Sequence, residues 1–154
     1  MASTFEVQRS ISIAAEPGAV FPWVADLKKW ESWSPWEGMD PALKHTYSDE
    51  TAGVGARYGW DGNRKVGQGS MTIAKVDDNA SLDIDLEFLR PFKSSNKVRI
   101  EFEAKGEGSE VRWIMTGKLP FISKIMGLFG MNMDKMVGSD FEKGLSQLKS
   151  VVEG

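Results

Sequence analysis

The stretch Leu82-Asp83-Ile84-Asp85-Leu86-Glu87-Phe88 decides the fold class. Its apolar and acidic residues alternate strictly, so a β-strand would send Leu82, Ile84, Leu86 and Phe88 to one face and Asp83, Asp85 and Glu87 to the other. A strand with one dry and one wet face belongs to an antiparallel sheet covered on a single side. The pattern recurs downstream. Val98, Ile100, Phe102 and Ala104 alternate with Lys97, Arg99, Glu101 and Glu103, and after the turn Gly106-Glu107-Gly108 come Val111, Trp113 and Met115. Three such strands on short turns predict a meander. Opposite charges on its wet face, an acidic row beside Lys97 and Arg99, would help to set the register.

Upstream, Val66 to Val76 reads as a strand ended by a turn at Asp77-Asp78-Asn79, and Ala56 to Trp60 and Leu43 to Tyr47 as two more. Asp61-Gly62-Asn63 is a hairpin-type turn, since Gly and Asn tolerate positive φ. Phe5, Val7, Ile11 and Ile13 alternate with polar residues in a first strand, broken only by Arg9. Pro17 then opens a helical stretch carrying Val20, Phe21, Val24 and Leu27; Pro22 either falls within its first turn or two or kinks or shortens it, and two short helices rather than one long one are expected, ending near Lys28 to Glu31.

The C-terminal segment changes period. Met133, Val137, Phe141, Leu145, Leu148 and Val152 recur at three- and four-residue spacing, which predicts an amphipathic helix of about five turns, roughly 30 Å long. Phe121 to Phe129, ended by Gly130, reads as a shorter apolar helix before it. The expected fold class is therefore α+β: a curved seven-stranded antiparallel sheet around a long C-terminal helix, with two short helices after the first strand. A single helix about 10 Å across cannot fill such a face. A dense aromatic core or a cavity must take up the rest.

Composition sets the outer bounds. The chain has 154 residues, 41% of them hydrophobic and 27% charged, with a net charge of −3 and no Cys. This suits a single globular domain over residues 1–154 and excludes disulfides, thiolate metal sites and a cysteine nucleophile. No basic patch invites nucleic acid, no apolar run has membrane-spanning length, and the N-terminus lacks the pattern of a secretory signal. The expectation is a soluble, cytoplasmic monomer or homodimer without nucleic-acid partners or stable membrane insertion.

In order and spacing the chain resembles the START-like (SRPBCC) superfamily, in its polyketide cyclase/dehydrase-like branch. The residues that carry the resemblance are Ile11-Ser12-Ile13 with Pro17-Gly18-Ala19-Val20-Phe21, Trp30-Glu31-Ser32-Trp33-Ser34-Pro35-Trp36 with Asp40-Pro41, Gly67-Gln68-Gly69-Ser70-Met71-Thr72-Ile73, Leu86 to Phe92, and Asp140 to Leu145. The resemblance implies a helix-grip fold that holds a small hydrophobic molecule, such as a lipid or polyketide, between sheet and helix. A minority of such proteins are cyclases or ring hydroxylases. The iron-dependent hydroxylases use several ligands including His, and His45 is the only histidine here, so no metal or other cofactor is expected.

Candidate site residues follow from the inner faces of the predicted elements. Tyr47, Tyr58, Trp60, Phe88 and Met115 on strands, with Met126, Met133, Val137 and Phe141 on the C-terminal helices, would line the cavity. A phenol of Tyr47 or Tyr58, or the amide of Gln68, would orient a ligand carbonyl. No convincing catalytic set exists. His45 and Tyr58 are the candidates for moving a proton in a cyclase, dehydrase or hydrolase, whereas His45 on a strand with no evident acid reads more simply as a partly exposed residue. Trp30, Trp33 and Trp36 would either plug one end of the sheet or form a protein-recognition surface like that of a co-chaperone. Met126, Met131, Met133 and Met136, with Gly127, Gly130 and Gly138, suit a pliable cavity mouth, although Gly127 and Gly138 equally suit close helix packing. Asp40 before Pro41 reads as a turn residue. Gly67-Gln68-Gly69-Ser70 lies in strand context with no following helix and is not a phosphate loop.

Overall fold

The structure is a computed structural model that describes residues 4–35, 42–62, 67–90, 93–118 and 133–154. Strand β1 (Thr4–Ile13) is followed by helix α1 (Pro17–Ala25) and a 3-10 helix (Leu27–Ser32). Strands β2 (Lys44–Tyr47), β3 (Arg57–Asp61), β4 (Gln68–Asp77), β5 (Ser81–Arg90), β6 (Ser94–Lys105) and β7 (Gly108–Lys118) come next, and helix α2 (Met133–Glu153) closes the order. All seven strands pair antiparallel in one curved sheet, in the order β1-β7-β6-β5-β4-β3-β2. β2 to β7 form the expected meander, and β1 crosses to its far edge beside β7. The expected helix over Phe121 to Phe129 lies outside the described residues, as do Trp36, Asp40, Met126 and Met131.

The alternation of β5, β6 and β7 sorts their side chains as the sequence predicts. Leu82, Ile84, Val98, Ile100, Val111 and Trp113 are buried. On the opposite face Lys97 pairs with Asp85 at 2.5 Å and Arg99 with Asp83 at 3.0 Å, across strands whose register sets those residues opposite each other. Arg99 also reaches Glu101 at 2.9 Å, and Arg112 joins Glu101 at 3.1 Å to Glu110 at 2.9 Å. The Asp77-Asp78-Asn79 turn holds Asn79 at a φ of 61°, the left-handed conformation that Asn accepts readily.

α1 accommodates Pro22 and stops at Ala25. The Asp26 side chain caps the 3-10 helix by accepting from the Lys28 amide at 3.0 Å, and it also accepts from the Thr51 hydroxyl at 2.7 Å, which ties the loop before β3 to this corner. α2 packs along β1 and against α1 and the 3-10 helix, burying Phe141, Leu145 and Leu148. Its C-terminal end is fastened to the end of β1. The Lys149 ammonium donates to the Ser12 carbonyl at 2.9 Å, and Glu153 accepts from the Ala14 amide at 2.8 Å. No helix among the described residues is long and apolar enough to cross a membrane.

Arg9, the break in the first strand's alternation, stays in phase with Val7 and Ile11 and therefore lies on the helix side of the sheet. A Cβ on Gly138 would fall 2.2 Å from its guanidinium, so the missing side chain on α2 is the space that Arg9 occupies, and Arg9 also approaches Glu142 at 3.8 Å. Gly138 is a close-packing glycine inside a continuous helix. Gly144 has the same role one stripe further on. A Cβ there would meet Pro35 Cδ at 2.8 Å and the Trp113 ring at 3.1 Å.

Two outcomes follow. Ala is the better helix former by about 1 kcal/mol, yet Gly144→Ala will destabilise the protein by on the order of 1 kcal/mol net, because Pro35 and Trp113 must give way; urea unfolding of the variant measures this. Glu101 is held below the usual carboxylate range by its hydrogen bond from Arg99 and then by Arg112. A carboxyl whose pKa is depressed in the folded state contributes stability above its unfolded pKa and loses it as pH falls through the lower folded value. The melting temperature of Glu101→Gln will therefore fall less steeply on acidification below the carboxylate range than that of the parent chain, as thermal melts across pH will record.

Candidate functional site

The inner face of the sheet carries two groups of aromatic rings in different environments. The first joins the sheet to the helices. Trp113 of β7 stacks on Phe141 of α2 with centroids 4.2 Å apart and planes 8° from parallel, and Trp30 and Trp33 meet Trp113 edge-on at 5.6 and 5.7 Å. Trp30 and Trp33 are 2% and 1% exposed. Their indole N–H groups donate to the Val24 and Trp23 carbonyls at 2.7 and 2.9 Å, and the Gln147 amide donates to the Trp33 carbonyl at 3.1 Å. The polar tips of Trp30 and Trp33 are met by main chain, so these two rings can be buried at little polar cost. Of the two expectations for the tryptophan cluster, Trp30 and Trp33 follow the plug and are not available as a recognition surface, while Trp36 lies outside the described residues.

The second group runs across β2, β3 and β5. The register places His45 opposite Trp60 and Tyr47 opposite Tyr58, all on one face. Tyr47 and Tyr58 stack at 5.0 Å, His45 lies 5.7 Å from Tyr58, Tyr58 lies 6.0 Å from Trp60, and Trp60 meets Phe88 at 5.8 Å with planes 80° apart. The result is a continuous arc of five rings. Unlike the plug it is not sealed: Tyr58 is buried, Tyr47, Trp60 and Phe88 are half-buried and His45 is exposed.

Gly69 makes the arc possible. It pairs with Trp60 on one side and Phe88 on the other, at a register shift in β4. A Cβ at this position would lie 2.7 Å from the Trp60 ring and 2.3 Å from the Glu87 carbonyl oxygen. The Gly-Gln-Gly-Ser segment is thus a seat for an indole on a strand. At the outer end, the Tyr47 hydroxyl hydrogen-bonds the Glu31 carboxylate on the 3-10 helix, and the Lys28 ammonium stands 4.9 Å from the Tyr47 ring centroid.

The residues expected to line a cavity therefore divide. His45, Tyr47, Tyr58, Trp60 and Phe88 come together in the arc. Met115 is buried on β7, opposite Val98 of β6 and Val7 of β1, and Val137 is half-buried against the core. Phe141 belongs to the plug. Met126 lies outside the described residues, and Met133 is described only as the first residue of α2. Among the described residues no group of three or more His, Asp or Glu is placed to hold a metal ion.

One inner-face residue escaped the sequence reading. Asn96, two positions before Val98 and in phase with it, is only 6% exposed. It pairs with Leu86 of β5 and Gly117 of β7. The signal was in the sequence, since Ser94 and Asn96 extend the inward phase of β6 with polar residues.

Sealed and open rings differ in what they contribute to stability. Trp33→Ala will lower the unfolding free energy by about 3–5 kcal/mol, and Trp60→Ala by clearly less, because part of that ring already faces water; urea titration of the two variants will give the order.

Comparisons with known proteins agree with this architecture. The family model described as polyketide cyclase / dehydrase and lipid transport matches residues 4–153. No curated protein matches the chain. Among solved structures, a protein from Rhizobium leguminosarum superposes with a TM-score of 0.70 at 13% identity, covering 99% of this chain and 97% of that one. Ara h 8.0201 superposes with a TM-score of 0.65 at 11% identity, covering 97% and 98% of the two chains. DynU16, from the dynemicin biosynthetic locus, gives 0.65 at 13% identity and covers 96% of this chain and 47% of its own. At such identities these likenesses speak for the shared helix-grip fold alone. With a family match running from the first described strand to the end of the last helix, the chain belongs to the polyketide cyclase/dehydrase and lipid transport family of the START-like superfamily.

Proposed function

We propose that this protein is a binding or carrier domain for a small hydrophobic ligand, held between the sheet and α2. The observation that carries the reading is the arc of five touching rings on the inner face, with Trp60 and Phe88 left half-buried while the neighbouring plug is sealed. Ring faces half open to water are costly unless something apolar covers them part of the time. Tyr58, Trp60, Phe88, Met115 and Val137 are the residues proposed to face the ligand, which needs neither metal nor cofactor. Tyr58 is the proposed orienting phenol. Tyr47, hydrogen-bonded to Glu31, serves the rim of the site; Gln68 pairs with Asp61, out of phase with Trp60 and Gly69, and is not among the proposed ligand contacts. The family description, which includes lipid transport, supports this reading.

The alternative, a cyclase or dehydrase acting in the same cavity, draws on the same family description and on His45 lying beside Tyr58. We place it second because His45 is exposed on the short edge strand β2, where water would compete for any proton that it moved.

Titration of the delipidated protein with an environment-sensitive fluorophore, followed by displacement with panels of fatty acids and polyketide compounds, tests both. Saturable one-to-one binding that Trp60→Ala weakens without unfolding the chain is the expected result. Absence of saturable binding would overturn the carrier reading. Spectral conversion of a bound compound that His45→Ala abolishes would put the catalytic reading first.

A further inference from the structure

We infer that Asn96, steadied by Ser94, is the polar anchor of the ligand site, and that its amide N–H donates a hydrogen bond to a neutral oxygen of the ligand, a ketone or hydroxyl carried on an otherwise apolar body. The inference rests on the proposed ligand cavity and names the chemistry recognised there.

An Asn amide offers two N–H donors and a carbonyl acceptor. Among the described residues, the Asn96 side chain makes one hydrogen bond, from Nδ2 to Ser94 Oγ, and at 3.3 Å it is long. The residue is nonetheless 6% exposed and stands in phase with Val98, Ile100 and Phe102 on the apolar face of β6. Its neighbours across the ladder are Leu86 and Gly117. A hydrophobic side chain would fit that environment better, since a nearly buried amide with most of its hydrogen-bonding capacity unmet by protein is poorly compensated for the water it has lost.

Its position relative to the arc gives the second observation. Ser94 pairs directly with Phe88, the last ring of the arc, whose edge meets Trp60. The polar pair Ser94–Asn96 thus begins where the ring surface ends. A molecule lying along Trp60 and Phe88 would bring one end to the amide. The amide is neutral, and its neighbours in the ladder, Leu86 and Gly117, carry no charge, so a ketone or hydroxyl suits the place and a carboxylate would be stripped of water without a counter-charge.

The test uses two compounds of nearly equal shape, acetylnaphthalene and ethylnaphthalene, competing with anilinonaphthalene sulfonate for the full chain. Asn96→Leu is expected to weaken acetylnaphthalene about five- to tenfold, the loss of one buried hydrogen bond, and to leave ethylnaphthalene unchanged or slightly tighter. Ser94→Ala is expected to act in the same direction with a smaller change. The melting temperature of the unliganded Asn96→Leu chain is expected to equal or exceed that of the parent. If both compounds bind the parent and Asn96→Leu changes them alike or changes neither, the anchor is refuted while the cavity stands. A marked fall in melting temperature would make Asn96 a structural residue and refute it as well. If neither compound displaces the dye from the parent chain, the cavity itself fails, and the anchor with it.

Discussion

The stack of Phe141 on Trp113 is the contact on which the rest of the architecture depends. It brings the helix onto the sheet at β7, and Gly144 allows the two to come that close. Trp30 and Trp33 wedge against the same indole from the 3-10 helix, so one cluster joins all three parts. Because the joint lies on β7, with Arg9 of neighbouring β1 seated under Gly138, the helix is drawn to one side of the sheet. β2 to β5 then present their inner face at a distance from it. The asymmetry that seals one group of rings is the same one that leaves the other half open.

Within the site, glycine and aromatic positions are matched. Gly69 lets Trp60 lie across β4 and meet Phe88, just as Gly138 makes room for a guanidinium and Gly144 for an indole. Each is a place where the absence of a methyl group decides where a large side chain goes. The wet face follows a different rule. There Asp83, Arg99, Glu101 and Arg112 form a ladder of exposed ion pairs, each weak, whose value lies in fixing strand register.

Much of this was legible in the sequence. Alternation over Leu82 to Phe88 and its two successors gave the meander and its wet face, because a period of two matches the pleat of a strand and no turn of a helix. The stripe from Val137 to Val152 gave the helix. Pro17 marked the start of the helical stretch, whereas its division falls at Asp26 and not at Pro22, which α1 accommodates. Arg9 and Asn96 were hidden for a common reason: a polar residue in phase with a buried face looks like the end or interruption of a strand until the opposite element is known. The room for Arg9 is provided by Gly138, on the other side of the interface and far along the chain. The division between the two ring groups was not legible. Trp33 and Trp60 are the same amino acid in equally aromatic surroundings, and only their exposure separates the sealed plug from the open arc. A ligand's identity would leave less trace still, since an apolar binding surface uses the same residue types as a packed core.

The fastening of α2 to β1 also governs how the chain must fold. Ala14 and Glu153, which share a hydrogen bond, are 139 residues apart in sequence, and among the described residues β1 pairs only with β7. The first strand is therefore made long before anything exists to pair with it. On a ribosome the meander of β2 to β7 can assemble from neighbouring hairpins as it emerges, whereas β1 and the last helix must close a loop that spans almost the whole polypeptide. Such closure is entropically costly and slow. The inner face, with all its rings, is consequently the last part of the molecule to be shielded from solvent, and the newborn chain passes through a stage in which the open arc and the core are the same exposed surface.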